Sequence, residues 1–340
     1  MIGQSGPLET LKKTANKYNY RHSPQKMINV SPITSILLFS FILIGCESKT
    51  NVSVNKAQKI EAPSQSNTTS ITHQKENVVT FLNSAQSAFK QLSESSITLH
   101  QTITHFINTP TPEHLSKAKN ALANTHKQYM MIQVFQNIDI PHPEFDLKQN
   151  QDPVIHPLHI RLDQFPLIPG YLDAVPNYPH SGLVFSEQAL TLEYLNNEHQ
   201  FTDTAYVALG FHALEFMLTG GLNQKTQARS TDFNPITKTP EEHTPKYRRS
   251  RYLQLLVQQL DEDLQKLASA WQSNEGFYPE VLHELLSSES SRLIQQAFKM
   301  EEHTLSSKKE HAKQDLHLEH ADERKAQLSL MQAAHEQTLL

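Results

Sequence analysis

Two side chains in a strongly apolar stretch have the types and spacing to do chemistry: His212 and Glu215, in Gly210-Phe211-His212-Ala213-Leu214-Glu215. From Ala205 to Leu218 nearly every position is apolar, which predicts a helix buried on all sides. An imidazole and a carboxylate in such surroundings need partners, because burying either alone is costly. Three residues apart, they project from one helical face, which continues through Ala208 and Thr219 with small neighbours that leave room for a ligand. A neutral imidazole and a carboxylate suit a metal ion such as iron or zinc, yet two groups do not complete a coordination shell. The same pair also serves as a hydrogen-bonded element of a core. Spacing by itself leaves both readings open.

The elements that position this pair are predicted to be helices. The chain has 340 residues, 37% hydrophobic and 19% charged, with nine glycines, which is enough for one folded domain or two small ones. Few glycines, many Leu, Ala, Gln, Glu and Lys, and no sustained β-branched alternation predict an all-α fold.

Val78, Leu82, Ala85, Phe89, Leu92, Leu99, Ile103 and Phe106 keep a near-heptad spacing, the mark of a long amphipathic helix in a bundle. Asn108 to Pro112 ends it, and Thr111 caps a second helix with Pro112 at its first position and Leu115, Ala118, Leu122, Tyr129 and Ile132 as its buried stripe. A short connection makes the two helices antiparallel. Residues 137 to 185 carry eight prolines, an irregular connection of a length that is usually functional or disordered, and its content favours function. Ser186 is expected to cap a short helix through Asn196, and Gly220 and Gly221 to close the His212 helix as left-handed caps. Residues 223 to 243 read as an exposed polar loop. Thr244-Pro245 opens another long helix with Leu253, Leu256, Leu260, Leu264, Leu267 and Trp271 on one face, and its Arg248, Arg249 and Arg251 read as well as a solvated face as anything else. A last helical region begins near Pro279 and carries Val281, Leu282, Leu285, Leu286, Leu293, Ile294 and Phe298. The histidines beyond it, His303, His311, His317, His320 and His335, share no helical face and read as solvated surface.

At the other end, the apolar run Ile33 to Gly45 is too short to span a membrane comfortably and has the length of a signal-peptide core. Lys12, Lys13, Lys17, Arg21 and Lys26 precede it, and Met27 is an alternative start. The run ends in Leu43-Ile44-Gly45-Cys46, which resembles a bacterial lipobox whose cysteine is lipidated. The expected organisation is a signal peptide over 1–45, a flexible polar tether over 46–72 and a helical domain over 73–340. Loss of residues 1–45 removes five of 30 Lys and Arg and one of 35 Asp and Glu, leaving 25 against 34 and a net charge of about −9. An acidic chain without a basic cluster argues against nucleic-acid binding.

Several separated motifs, in order, resemble the imelysin family: Arg161-Leu162-Asp163-Gln164-Phe165-Pro166, Gly170-Tyr171-Leu172-Asp173, Ser181-Gly182-Leu183-Val184, the GxHxxE stretch running into Phe216-Met217-Leu218-Thr219-Gly220, and Arg248 to Leu253. The closing region departs from the family, since Glu319-His320-Ala321-Asp322 is at best a degenerate form of its histidine-serine element. The resemblance implies two packed helical bundles with the GxHxxE helix at their junction and the proline-rich connection lying over it. It marks Gly210, Arg161 and Gly220 as structural motif residues. It also implies either a metallopeptidase or a binding protein for a metal ion or iron-containing ligand.

Hydrolysis needs an open metal position and a general base, and nothing beside His212 is acidic, so this is not the HExxH arrangement. Binding is therefore favoured, with iron or zinc held by His212 and Glu215 and a further ligand from Asp163, Asp173 or His180. A third reading makes His212, Glu215 and Arg161 a buried polar network that only fixes packing. The lipobox and tether imply a membrane anchor at Cys46. Glu47 after the cysteine points to the periplasmic leaflet of the outer membrane, where iron or haem uptake components would be the partners.

Overall fold

The computed structural model describes residues 66–145, 158–176, 178–220, 229–236, 244–273 and 275–307. Among them the regular elements are helices, with an isolated bridge between Val175 and Tyr178 and no strand. In chain order they are α1 (Ser66–Asn108), α2 (Pro112–Met131), α3 (Gln133–Gln136), α4 (Leu158–Asp163), α5 (Pro169–Leu172), a 3₁₀ turn (Leu183–Phe185), α6 (Leu192–Glu198), α7 (Gly210–Thr219), α8 (Pro245–Ser269), α9 (Phe277–Glu284) and α10 (Ser287–Ser307). The described residues from Thr69 onward form one compact unit.

The apolar spacing of α1 translates directly into packing: all eight positions from Val78 to Phe106 named above are buried. The stripe of α2 is buried too, and the Thr111 hydroxyl accepts the His114 amide while Pro112 occupies the first turn. The Thr125 hydroxyl of α2 donates to the Ser95 carbonyl of α1. On its other side α1 meets α8, through Ser93 to Gln265 and through Ser96 and His100 to Asp261. Leu253, Leu256, Leu260, Leu264, Leu267 and Trp271 are all buried, each such side chain contributing about 1.5–3 kcal/mol. One end of the core is aromatic. The Trp271 ring lies between Phe89, at 5.3 Å and 9°, and Tyr278, at 4.5 Å and 16°, and Phe81 meets Phe135 and Phe298 edge-on.

Local competition shifts several boundaries. Helix α1 begins at Ser66, inside the expected tether, because a formed helix propagates at one hydrogen bond per residue. Thr191 rather than Ser186 caps α6, accepting the Tyr194 amide, while the Ser186 hydroxyl takes the Gln188 amide instead. The polar 223–243 stretch is not an exposed loop in its described part: Arg229, Ser230 and Phe233 are buried. The last helical region is two helices, broken where Leu286 is left 75% exposed. His303 is exposed as expected, whereas His311, His317, His320, His335, Glu319 to Asp322 and Cys46 lie outside the described residues. No described helix is long and apolar enough to cross a membrane.

His142 gives this packing a pH dependence. Its ring stacks on Phe145 at 3.7 Å, meets Phe277 edge-on, and accepts the Glu144 amide at Nδ1, so the neutral form is the one that fits. Burial lowers its pKa from 6.5 to about 4. A depressed pKa means stability is intact above pH 6.5 and falls as pH drops from there toward 4, by about 1–2 kcal/mol after allowance for solvent screening. Urea unfolding at pH 7 and 4.5 checks this. His142→Gln is expected to flatten the difference, and an unchanged difference would rule out His142 as its source.

Candidate metal centre

Helix α7 starts at Gly210, not at Ala205, and the reason is steric. Gly210 has φ +88°, and a Cβ there would collide with the carbonyl oxygens of Arg161 and Leu162 at the end of α4. Glycine thus lets the last turn of α4 lie against the first turn of α7. From that contact Phe211, Ala213, Leu214, Phe216, Met217 and Leu218 bury in the surrounding core. Gly220 ends the helix at a positive φ of 73° that favours glycine, although its ψ of −169° is not that of a left-handed helical cap, and its amide donates to the Phe216 carbonyl; Gly221 lies outside the described residues.

The approach of α4 brings Asp163 to His212: Oδ1 is 3.2 Å from Nε2, and the His212 side chain is 1% exposed. The same oxygen meets His126 Nε2 of α2 at 2.9 Å. His126, Asp163 and His212 offer ligand atoms that all lie within 4.8 Å of one another, the one such group of three or more among the described residues. Glu215 stands on the other side of His212, Oε2 at 3.7 Å from Nδ1, with its side chain 41% exposed. Rings frame the cluster: Phe211 lies 4.7 Å from His126, and Phe165 5.1 Å from His212. Burial by itself pushes the His212 imidazole down, but the hydrogen bonds and charges of Asp163 and Glu215 outweigh it and raise its pKa to about 9. The site is therefore one that holds positive charge.

The sequence-derived candidates divide. His212, Asp163 and Glu215 come together. Asp173 does not join them: it is buried elsewhere, its carboxylate gripped by Arg249 at 2.7 and 2.9 Å and by Arg229 at 3.4 Å. His180 is exposed, its ring 5.7 Å from Phe185. Arg161 sits beside the cluster but turns to Asp263, with two hydrogen bonds of 2.6 Å, so the proposed His212–Glu215–Arg161 network is not the one that forms. Arg248 and Arg249 at the start of α8 are not a solvated face, whereas half-exposed Arg251 bonds Gln254 of its own helix. Arg248 is buried and donates to the carbonyls of Leu183, Val184 and Gln188, and Arg249 holds Asp173, so both pin the irregular connection to the bundle.

His126 is the residue that sequence reasoning missed. Its signal was present, since Leu122, His126 and Tyr129 follow one apolar face at i, i+4 and i+7, and a histidine on such a face needs a partner.

Comparison with known proteins agrees with this architecture. The sequence model described as Imelysin matches residues 85–336 of the chain. No curated protein matches it.

Proposed function

The chain belongs to the imelysin family, and from that premise we propose that it is a metal-binding protein, holding one ion between His126, Asp163 and His212 with Glu215 at the rim. The observation that carries this reading is the convergence of three ligand atoms from three separate helices within 4.8 Å. Two imidazoles and a carboxylate are a donor set for zinc or iron rather than for magnesium or calcium, which prefer oxygen alone. The ion would supply charge neutralisation for the carboxylates and an anchoring point for a bound group. The chain's own residues supply the rest: Asp163 links the two imidazoles, Glu215 orients the His212 ring from its other nitrogen, and the rings of Phe211 and Phe165 pack against the His126 and His212 imidazoles. An ion held there would need the His212 imidazole neutral, so its binding would compete with protons.

Binding is preferred to hydrolysis because His212 is flanked by Phe211 and Ala213, which leaves no carboxylate adjacent in sequence to act as base. The lipobox ending at Cys46, with Glu47 after it, supports a lipid-anchored place on the periplasmic side of the outer membrane. In that setting the protein serves uptake of iron or an iron-containing ligand, with other uptake components as partners.

Metal analysis of the purified chain tests the core of the proposal. We expect close to one zinc or ferrous ion per chain, and His126→Ala to weaken affinity by about 10-fold or more with the helical circular dichroism unchanged. His126 is the informative position because it lies nearer the surface than His212. A wild-type chain that takes up neither ion, with His126→Ala merely less stable, would make the cluster architectural.

A further inference from the structure

We propose that Asp263 is a positioning residue for this site: by gripping Arg161 it fixes the register of α4 and so places Asp163 between His126 and His212. The inference rests on reading the cluster as a metal centre. Asp163 is the last residue of α4, a helix of six residues that has too few turns to be stable alone. Its position must therefore come from what holds it. Leu158 and Leu162 bury one side, and the carbonyls of Arg161 and Leu162 rest on Gly210. Apolar contact tolerates sliding, but a two-pronged arginine–carboxylate pair does not.

The pair is well built for that task. Arg161 Nε and Nη2 each reach an Asp263 oxygen at 2.6 Å, and the Asp263 side chain is 1% exposed. Asp263 is itself fixed, since Gln259 Nε2 donates to Oδ1 at 3.0 Å and Gln259 accepts from Asn196 of α6 at 3.3 Å. Arg161 lies two residues from Asp163, so any slip of the guanidinium fork moves the carboxylate that joins the two imidazoles.

The test uses the full chain with two kinds of variant. Removing one partner alone strands a buried charge, whereas Arg161→Met with Asp263→Leu removes both and leaves an apolar contact, which proteins commonly tolerate. Arg161→Lys is the second variant, keeping the charge and losing the fork. Two readouts are taken: the imidazole nitrogen shifts of His126 and His212 in metal-free protein, and zinc affinity. We expect both sets of shifts to move in the folded variants and zinc affinity to fall by about 10- to 100-fold. Folded variants with wild-type shifts and wild-type zinc affinity would overturn the proposal. If the wild-type chain binds no zinc, the metal reading fails, and the imidazole shifts still decide whether Asp263 positions Asp163.

Discussion

Replacing Gly210 with alanine is expected to disable the site and destabilise the fold together. Alanine at φ +88° is strained by about 1–2 kcal/mol, and its methyl group would drive into the carbonyls of Arg161 and Leu162. Separating α4 from α7 to relieve that overlap adds about 1–3 kcal/mol of lost packing. In a folded region of this size the sum, about 2–5 kcal/mol, lowers the melting temperature by roughly 4–20 °C. The displaced element is the one that carries Asp163, so bound zinc should fall in the fraction that remains folded. Thermal unfolding and zinc content of Gly210→Ala, compared with a neutral surface change such as Lys90→Ala, provide the measurement. A variant that melts with the wild type and keeps its zinc would show that α4 and α7 do not need this approach.

Asp173→Ala should separate stability from binding. Its carboxylate is the shared partner of Arg249 and Arg229, and it also takes the Ala174 amide at 2.8 Å. Removing it leaves two guanidinium groups in a buried place, a loss of about 3–5 kcal/mol. Arg229 keeps its bonds to the Met217 carbonyl and to Asp232, so the end of α7 stays held. Zinc per folded molecule should therefore match the wild type while the melting temperature drops by roughly 6–20 °C. Asp173→Ala with Arg249→Ala should recover part of the loss, because the stranded charge goes with it. Equal loss of zinc and stability in Asp173→Ala would place this residue in the metal centre after all.

The two aspartates illustrate how far local reading reaches. Both lie on the irregular connection, both stand at the end of a short helix or just after one, and nothing in their neighbours distinguishes ligand from ion-pair partner. Their fates were decided by which cation or imidazole each met. Asp163 met His126 across a sequence separation of 37 residues, and Asp173 met Arg249 across 76.

What the sequence determined by itself is what local physics controls. Heptad spacing put Val78 to Phe106 on a buried helical face, hydroxyl caps and prolines started α2 and α8 at Thr111 and Thr244, and an apolar run required partners for His212. Those signals work because helix periodicity and capping involve groups within one or two turns of each other. The tertiary structure alone decided which partners those were: His126 as the third donor, Arg161 turned to Asp263, and Arg248 spent on backbone carbonyls. A buried polar group is satisfied by whatever donor or acceptor packing delivers to it, and that delivery depends on how α2, α4, α7 and α8 cross, not on spacing along any one of them.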